Sequence, residues 1–139
     1  MKPRITSIAL LSAALSWTVF AQGPSPMREG NWEITMKMNM GGMEMPATKQ
    51  MQCVTAAMIK DPQGALPKGP GADCKVVDYK LAGATATYKM TCTQPTEMTI
   101  VGEMKYASSD AYTGTVNVEA GGMAMAMSFD PKRVGECAK

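Results

Sequence analysis

Apolar and polar residues alternate along most of the chain, the period expected of strands with one face buried. In the first such run Ile34, Met36, Met38 and Met40 fall on one face, and Glu33, Thr35, Lys37 and Asn39 on the other. Gly41-Gly42 follows, two residues that tolerate the positive φ of a tight hairpin turn. Folding about that turn sets Met40 opposite Met43 and Met38 opposite Met45, so the turn itself gathers the sulfurs on one face. The device recurs near the C-terminus. Val116, Val118 and Ala120 run into Gly121-Gly122 and return as Met123, Met125, Met127 and Phe129, with Val118 facing Met125 and Val116 facing Met127. "MNMGGMEM" and "VEAGGMAM" form a short, loose repeat.

Two further hairpins lie between. Cys74 to Leu81 and Thr85 to Cys92 are symmetric about Gly83, which sets Cys74 across from Cys92. Met98 to Tyr106 turns through Ser108-Ser109-Asp110 and returns along Tyr112 to Ala120. The inner face of this last pair reads Met98, Ile100, Gly102, Met104, Tyr106 against Tyr112, Gly114, Val116, Val118, Ala120, and glycines on an apolar face let a sheet curl. One helix is predicted, a turn or two from the N-cap Thr55 to Lys60, before the Pro/Gly-rich loop "DPQGALPKGPGAD". The fold class is therefore all-β: about seven antiparallel strands in a meander, a curved sheet or incomplete barrel, with one short helix in a long loop.

The ends of the chain change the compartment and the charge. Lys2 and Arg4 precede an apolar run from Ile5 to Phe20, and Val19-Phe20-Ala21 fits the small-x-small cleavage rule. Residues 1–21 thus read as a secretory signal peptide, and residues 22–139 as a single exported, periplasmic β domain without a membrane span. Cleavage takes Lys2 and Arg4 with it and leaves 12 basic residues against 12 acidic ones. That balance recruits neither nucleic acid nor anionic lipid. Cys53, Cys74, Cys92 and Cys137 read as two disulfides in an oxidising compartment. Hairpin symmetry favours Cys74–Cys92 with Cys53–Cys137, and the alternative is Cys53–Cys74 with Cys92–Cys137.

Candidate chemistry is sparse. The chain has no histidine, so no Ser-His or Cys-His pair can form, and Glu33, Glu44, Glu103 and Glu119 fall on polar strand faces. The expectation is a protein that is not an enzyme and holds no cofactor. Methionine is the exception to this plainness. The exported part has 14 methionines beside two leucines, three isoleucines, one phenylalanine and one tryptophan, so most methionines are expected in the core. Met36, Met104, Met123, Met125 and Met127 belong to this apolar face. Thioethers also adapt to varied apolar ligands, and they are soft donors suited to Cu(I) or Ag(I). Met38, Met40, Met43 and Met45 are the candidate metal ligands. The leading expectation is a non-enzymatic binding or structural protein whose methionine face packs the core and can accept an apolar small molecule or protein partner, and the second is a Cu(I)/Ag(I) site; an oligomer sharing apolar faces fits the sequence as well.

Gly30-Asn31-Trp32 is similar to the opening triplet of lipocalins, which implies a late arginine, Arg133, packed on Trp32; the plainer reading is that Trp32 anchors one end of the core. A broader likeness covers nearly the whole exported chain. The order "REGNWEITMKMNMGGMEMP", "QMQCVTAAM", "DCKVVDYKLAGATATYKMTC", "VGEMKYASSDAYTGTV" and "KRVGEC" resembles the domain-of-unknown-function family 3617, exported Met-rich bacterial proteins. The resemblance implies a periplasmic protein and no established activity. Two departures from its pattern are Gly41-Gly42 in place of Pro-Gly, which keeps a tight turn, and Asp130-Pro131, expected to bulge or break the final strand.

Overall fold

The computed structural model describes residues 25–66 and 72–138; the signal segment expected at residues 1–21 lies outside them. Strand β1 (Gly30–Met40) turns through Gly41 and Gly42 at φ 57° and 89°, both left-handed, the pair that suits a two-residue hairpin between right-twisted strands. Asn39 Oδ1 accepts the Gly42 N–H at 3.0 Å and completes the turn. The return is split into β2 (Met43–Glu44) and β3 (Thr48–Val54) around Pro46, which has no N–H to offer a ladder. Helix α1 (Ala56–Lys60) follows, its first turn capped by Thr55, whose hydroxyl accepts from the Met58 N–H at 3.4 Å.

The remaining strands are β4 (Asp73–Ala82), β5 (Thr85–Gln94), β6 (Met98–Ser108), β7 (Ala111–Ala120) and β8 (Met123–Gly135). From β4 to β8 each pairs antiparallel with the next. β1 then joins β8, giving the order β2-β1-β8-β7-β6-β5-β4 with β3 also on β1. Among the described residues the outer edges, β3 and β4, do not pair, so the barrel stays incomplete and the fold is all-β as expected. The link from β3 to β4 runs from one edge to the other and carries α1 and the buried Leu66.

The predicted cross-strand partners are the observed ones. Met40 opposes Met43, Val118 opposes Met125, Val116 opposes Met127, and Cys74 opposes Cys92. The last pair is bonded, with Cα atoms 4.0 Å apart, and Cys53–Cys137 forms the second bridge at 5.4 Å. The strand does not end at Asp130-Pro131, but its pairing is disturbed there. β8 runs on to Gly135 and stays paired with β1 through Pro131, opposite Ile34, while the rungs to β7 are missing at Tyr112 and Thr113 and the register to β1 shifts between Trp32 and Asn31. Proline lacks one donor, and a strand paired continuously on its other side tolerates that loss.

The inner face is a single apolar surface that runs across the sheet. Tyr79, Ala86, Tyr88, Met90, Tyr106, Val116 and Val118 form its buried centre, closed over by Leu66. The core draws on tyrosine as well as on the aliphatic residues and methionine. All four tyrosines line this face, with Trp32 tilted against Tyr112 at 5.9 Å between ring centroids and Tyr112 tilted against Tyr106 at 5.4 Å. Their rings supply the mass that methionine was expected to supply, and burial raises the pKa of each hydroxyl.

The two ends of the sheet differ. One end is tied down by the segment before β1. Ser25 N–H donates to Ile59 O, Arg28 N–H to Ser109 O, and Trp32 Nε1 to Arg28 O, while Arg28 pairs with Asp110 at 2.6 Å. The Cys53–Cys137 bridge lies at the same end. The other, open end carries the two Gly-Gly turns, with the Cys74–Cys92 bridge on its β4–β5 side.

Candidate ligand-binding face

Along the inner face of β1, exposure rises steadily toward the open end: Trp32 1%, Ile34 7%, Met38 37%, Met40 42%. Across the turn Met43 is 74% exposed and Met45 49%. The four sequence-proposed metal ligands are therefore surface residues, and the expectation that most methionines are core fails for them. Met51 and Met123 are exposed as well, whereas Met90 is wholly buried.

What the sequence did not reveal is the neighbour on the far side of β1. Met40 pairs with Met125 and Met38 with Met127, both on β8. The face thus carries two rows of three methionines across β2, β1 and β8. One row is Met43, Met40 and Met125. The other is Met45, Met38 and Met127, held in step by the Met45 N–H donating to Met38 O at 2.9 Å. Opposed side chains in such rows start about 4.5–5.5 Å apart at Cβ, within reach of flexible thioethers. The loose repeat between the two Gly-Gly segments was the available signal: the similar hairpins are the ones that lie side by side.

The other apolar-face residues take graded positions. Met36 sits half-buried opposite Phe129, Met104 half-buried against Tyr106, whose hydroxyl donates to its sulfur at 3.9 Å, and Met123 stands at the tip of β8. On β7 the same two rows continue as Val118 and Val116, both buried. No charged residue belongs to either row. Lys37 and Glu44 alternate with the methionines and so point to the outer face, where an open recess of about 510 Å³ is lined by polar residues including Asn39, Asn117 and Ser128 and is bordered by Met38, Met45 and Met127. A second open recess, of about 630 Å³, lies at the tied end beside Cys53–Cys137.

Elsewhere two of the outer-face carboxylates are engaged with lysines: Glu33 with Lys49 and Glu103 with Lys105, both at 2.9 Å. Arg133 lies across from Trp32 in register, but its guanidinium donates to Glu29 O at 2.7 Å and pairs with Glu136. Among the described residues no three His, Cys, Asp or Glu side chains come together as a metal site, and no helix is long and apolar enough to cross a membrane.

The family described as "Protein of unknown function (DUF3617)" matches residues 27–137. No curated protein and no solved structure matches the chain.

Proposed function

The chain belongs to the DUF3617 family of proteins of unknown function, and we propose that it is an exported, periplasmic, non-enzymatic binding protein whose methionine-lined inner face holds an apolar ligand or an apolar group of a partner. One observation carries this reading. In a sheet otherwise stapled and packed, six methionines of one face, Met38, Met40, Met43, Met45, Met125 and Met127, lie contiguous at the open end, and four of them are exposed. Contiguous apolar surface on a folded domain marks interaction sites, and thioether chains re-pack around occupants of different shape. Two disulfides support an oxidising compartment, as does the basic, then apolar, N-terminal segment. The absence of histidine and the lysine-paired carboxylates support a binding role over catalysis.

The test is a titration with the neutral dye N-phenyl-1-naphthylamine, whose emission rises in apolar surroundings. The wild type is expected to enhance emission saturably, and Met40→Glu/Met43→Glu to lose that response with its thermal midpoint unchanged. Equal enhancement by both proteins, or none by the wild type, would refute the assignment of the face.

A further inference from the structure

We infer that the two methionine rows form a site for a soft monovalent cation, Cu(I) or Ag(I), with sulfur donors drawn from both Gly-Gly hairpins. The inference rests on the proposed reading that this face is the binding surface, and it names the ligand class. In the first row the donors are Met40, Met43 and Met125, in the second Met38, Met45 and Met127.

Three observations point to metal. The first is the choice of residue within the rows. Where they pass into burial on β7 they are Val118 and Val116, the β-branched residues a packed strand favours, and a wholly buried thioether, Met90, follows in the first row only two strands further on. Toward the β2 edge of the sheet, every position on three successive strands is a thioether. Greasiness alone does not require that uniformity. The second is reach. Neighbouring strands lie about 4.8 Å apart, so the flanking side chains of a row need to lean across only one strand spacing to meet the sulfur on β1. Three rotatable bonds in each methionine permit it. The third is charge. Neither row contains a lysine or arginine to repel a cation, nor a carboxylate to hold a hard one. Neutral sulfur donors lose no proton on binding and prefer a polarisable monovalent ion to Zn²⁺, Ca²⁺ or Mg²⁺. All four cysteines are tied in disulfides, so no thiolate competes for the ion.

The site differs from a single-hairpin methionine cluster in needing β8. Met125 and Met127 lie more than 80 residues along the chain from Met40 and Met38, so the donor set is complete only when β1 and β8 are paired.

The experiment is an anaerobic titration of the disulfide-intact protein with Cu(I), kept reduced by ascorbate and buffered by bicinchoninate, whose coloured complex reports the ion it retains. The wild type should withdraw Cu(I) from the chelator. Met38→Leu/Met40→Leu/Met43→Leu/Met45→Leu should weaken binding by more than about tenfold, a loss typical even of changes one shell out from a metal. Met125→Leu/Met127→Leu, on the other hairpin, should do the same. Circular dichroism and thermal midpoints accompany each variant, since leucine replaces methionine at nearly constant volume. Failure of the wild type to compete would overturn the inference, as would wild-type affinity in the Met125→Leu/Met127→Leu protein. N-phenyl-1-naphthylamine emission separates the two failures. A wild type that binds the dye but not Cu(I) keeps its binding face and loses only the cation, whereas one that binds neither loses both.

Discussion

Gly102→Ala offers the sharpest test of how the inner face is packed. Gly102 is buried in mid-β6, opposite Tyr88 on one neighbour and Val116 on the other. Its φ is not in the left-handed region, so the backbone itself would accept a side chain. On local grounds alanine should then help, because glycine inside a strand costs roughly 0.5–1 kcal/mol relative to alanine. The structure reverses that sign. A Cβ at this position would lie 2.2 Å from Tyr88 Cζ, 2.4 Å from Cε1 and 2.5 Å from the hydroxyl oxygen. Carbon atoms rest about 3.5–4.0 Å apart, so the ring would have to move by more than about 1 Å. Tyr88 is only 4% exposed and has core neighbours around it. Overpacking of this kind costs typically about 1–3 kcal/mol, which leaves a net loss of up to about 2.5 kcal/mol, centred on about 1 kcal/mol, once the backbone gain is subtracted. Urea unfolding of the oxidised protein, followed by Trp32 emission, measures it. The same substitution made in a Tyr88→Leu background should be neutral or stabilising. A Gly102→Ala protein as stable as wild type, or an equal cost in both backgrounds, would refute the claim that the glycine exists to admit the ring.

The two disulfides and the tyrosines yield further expectations. Cys53–Cys137 closes 84 residues and Cys74–Cys92 closes 18, so on chain entropy their removal by paired serine substitution costs about 4.6 and about 3.2 kcal/mol respectively. Urea midpoints should fall further for the Cys53→Ser/Cys137→Ser protein, and the opposite order would contradict the chain-entropy account. The Tyr112 hydroxyl is pushed up to about 12 from 10.0, by burial first and then by the neighbouring Tyr106 and Tyr88. A folded-state pKa above the unfolded one means that the unfolded chain loses its proton first. Stability is then fully present below pH 10 and falls between pH 10 and 12, by about 1.4 kcal/mol per pH unit for this group. Urea midpoints at a series of alkaline pH values should show that decline, made shallower by Tyr112→Phe; a flat profile would place the ring in water.

What the sequence disclosed and what it hid follow the distance over which each feature is encoded. The hairpins are local: alternation plus Gly41-Gly42, Gly83 or Gly121-Gly122 sets both the turn and the register, and the Met40–Met43, Val118–Met125 and Cys74–Cys92 oppositions came out as read. The pairing of β1 with β8 joins segments about 90 residues apart, and no local pattern carries it. The methionine array depends on that pairing, so only its β1–β2 half was visible. β3 escaped because its inner side presents Gln50 and Gln52 next to Ile34 and Trp32, leaving no apolar stripe to recognise. Met38, Met40, Met43 and Met45 share the apolar face yet are exposed, because alternation says which face a residue occupies but not whether anything covers that face.

The strand order has a consequence for how the chain is made. Synthesis delivers β1 early and β8 last, yet these two are neighbours. Until the final strand arrives, β1 has one edge unpaired. Cys53 and Cys74 are likewise complete before Cys92 and Cys137 exist, so the first oxidation open to a growing chain joins Cys53 to Cys74, a bond the folded protein does not contain. A chain that oxidises as it emerges has to exchange that bond: attack of the Cys92 thiolate on Cys74 forms the native bridge and expels the Cys53 thiolate, left to be oxidised with Cys137. Maturation of this small domain therefore waits on its last 15 or so residues and favours a compartment that supplies disulfide exchange as well as an oxidant.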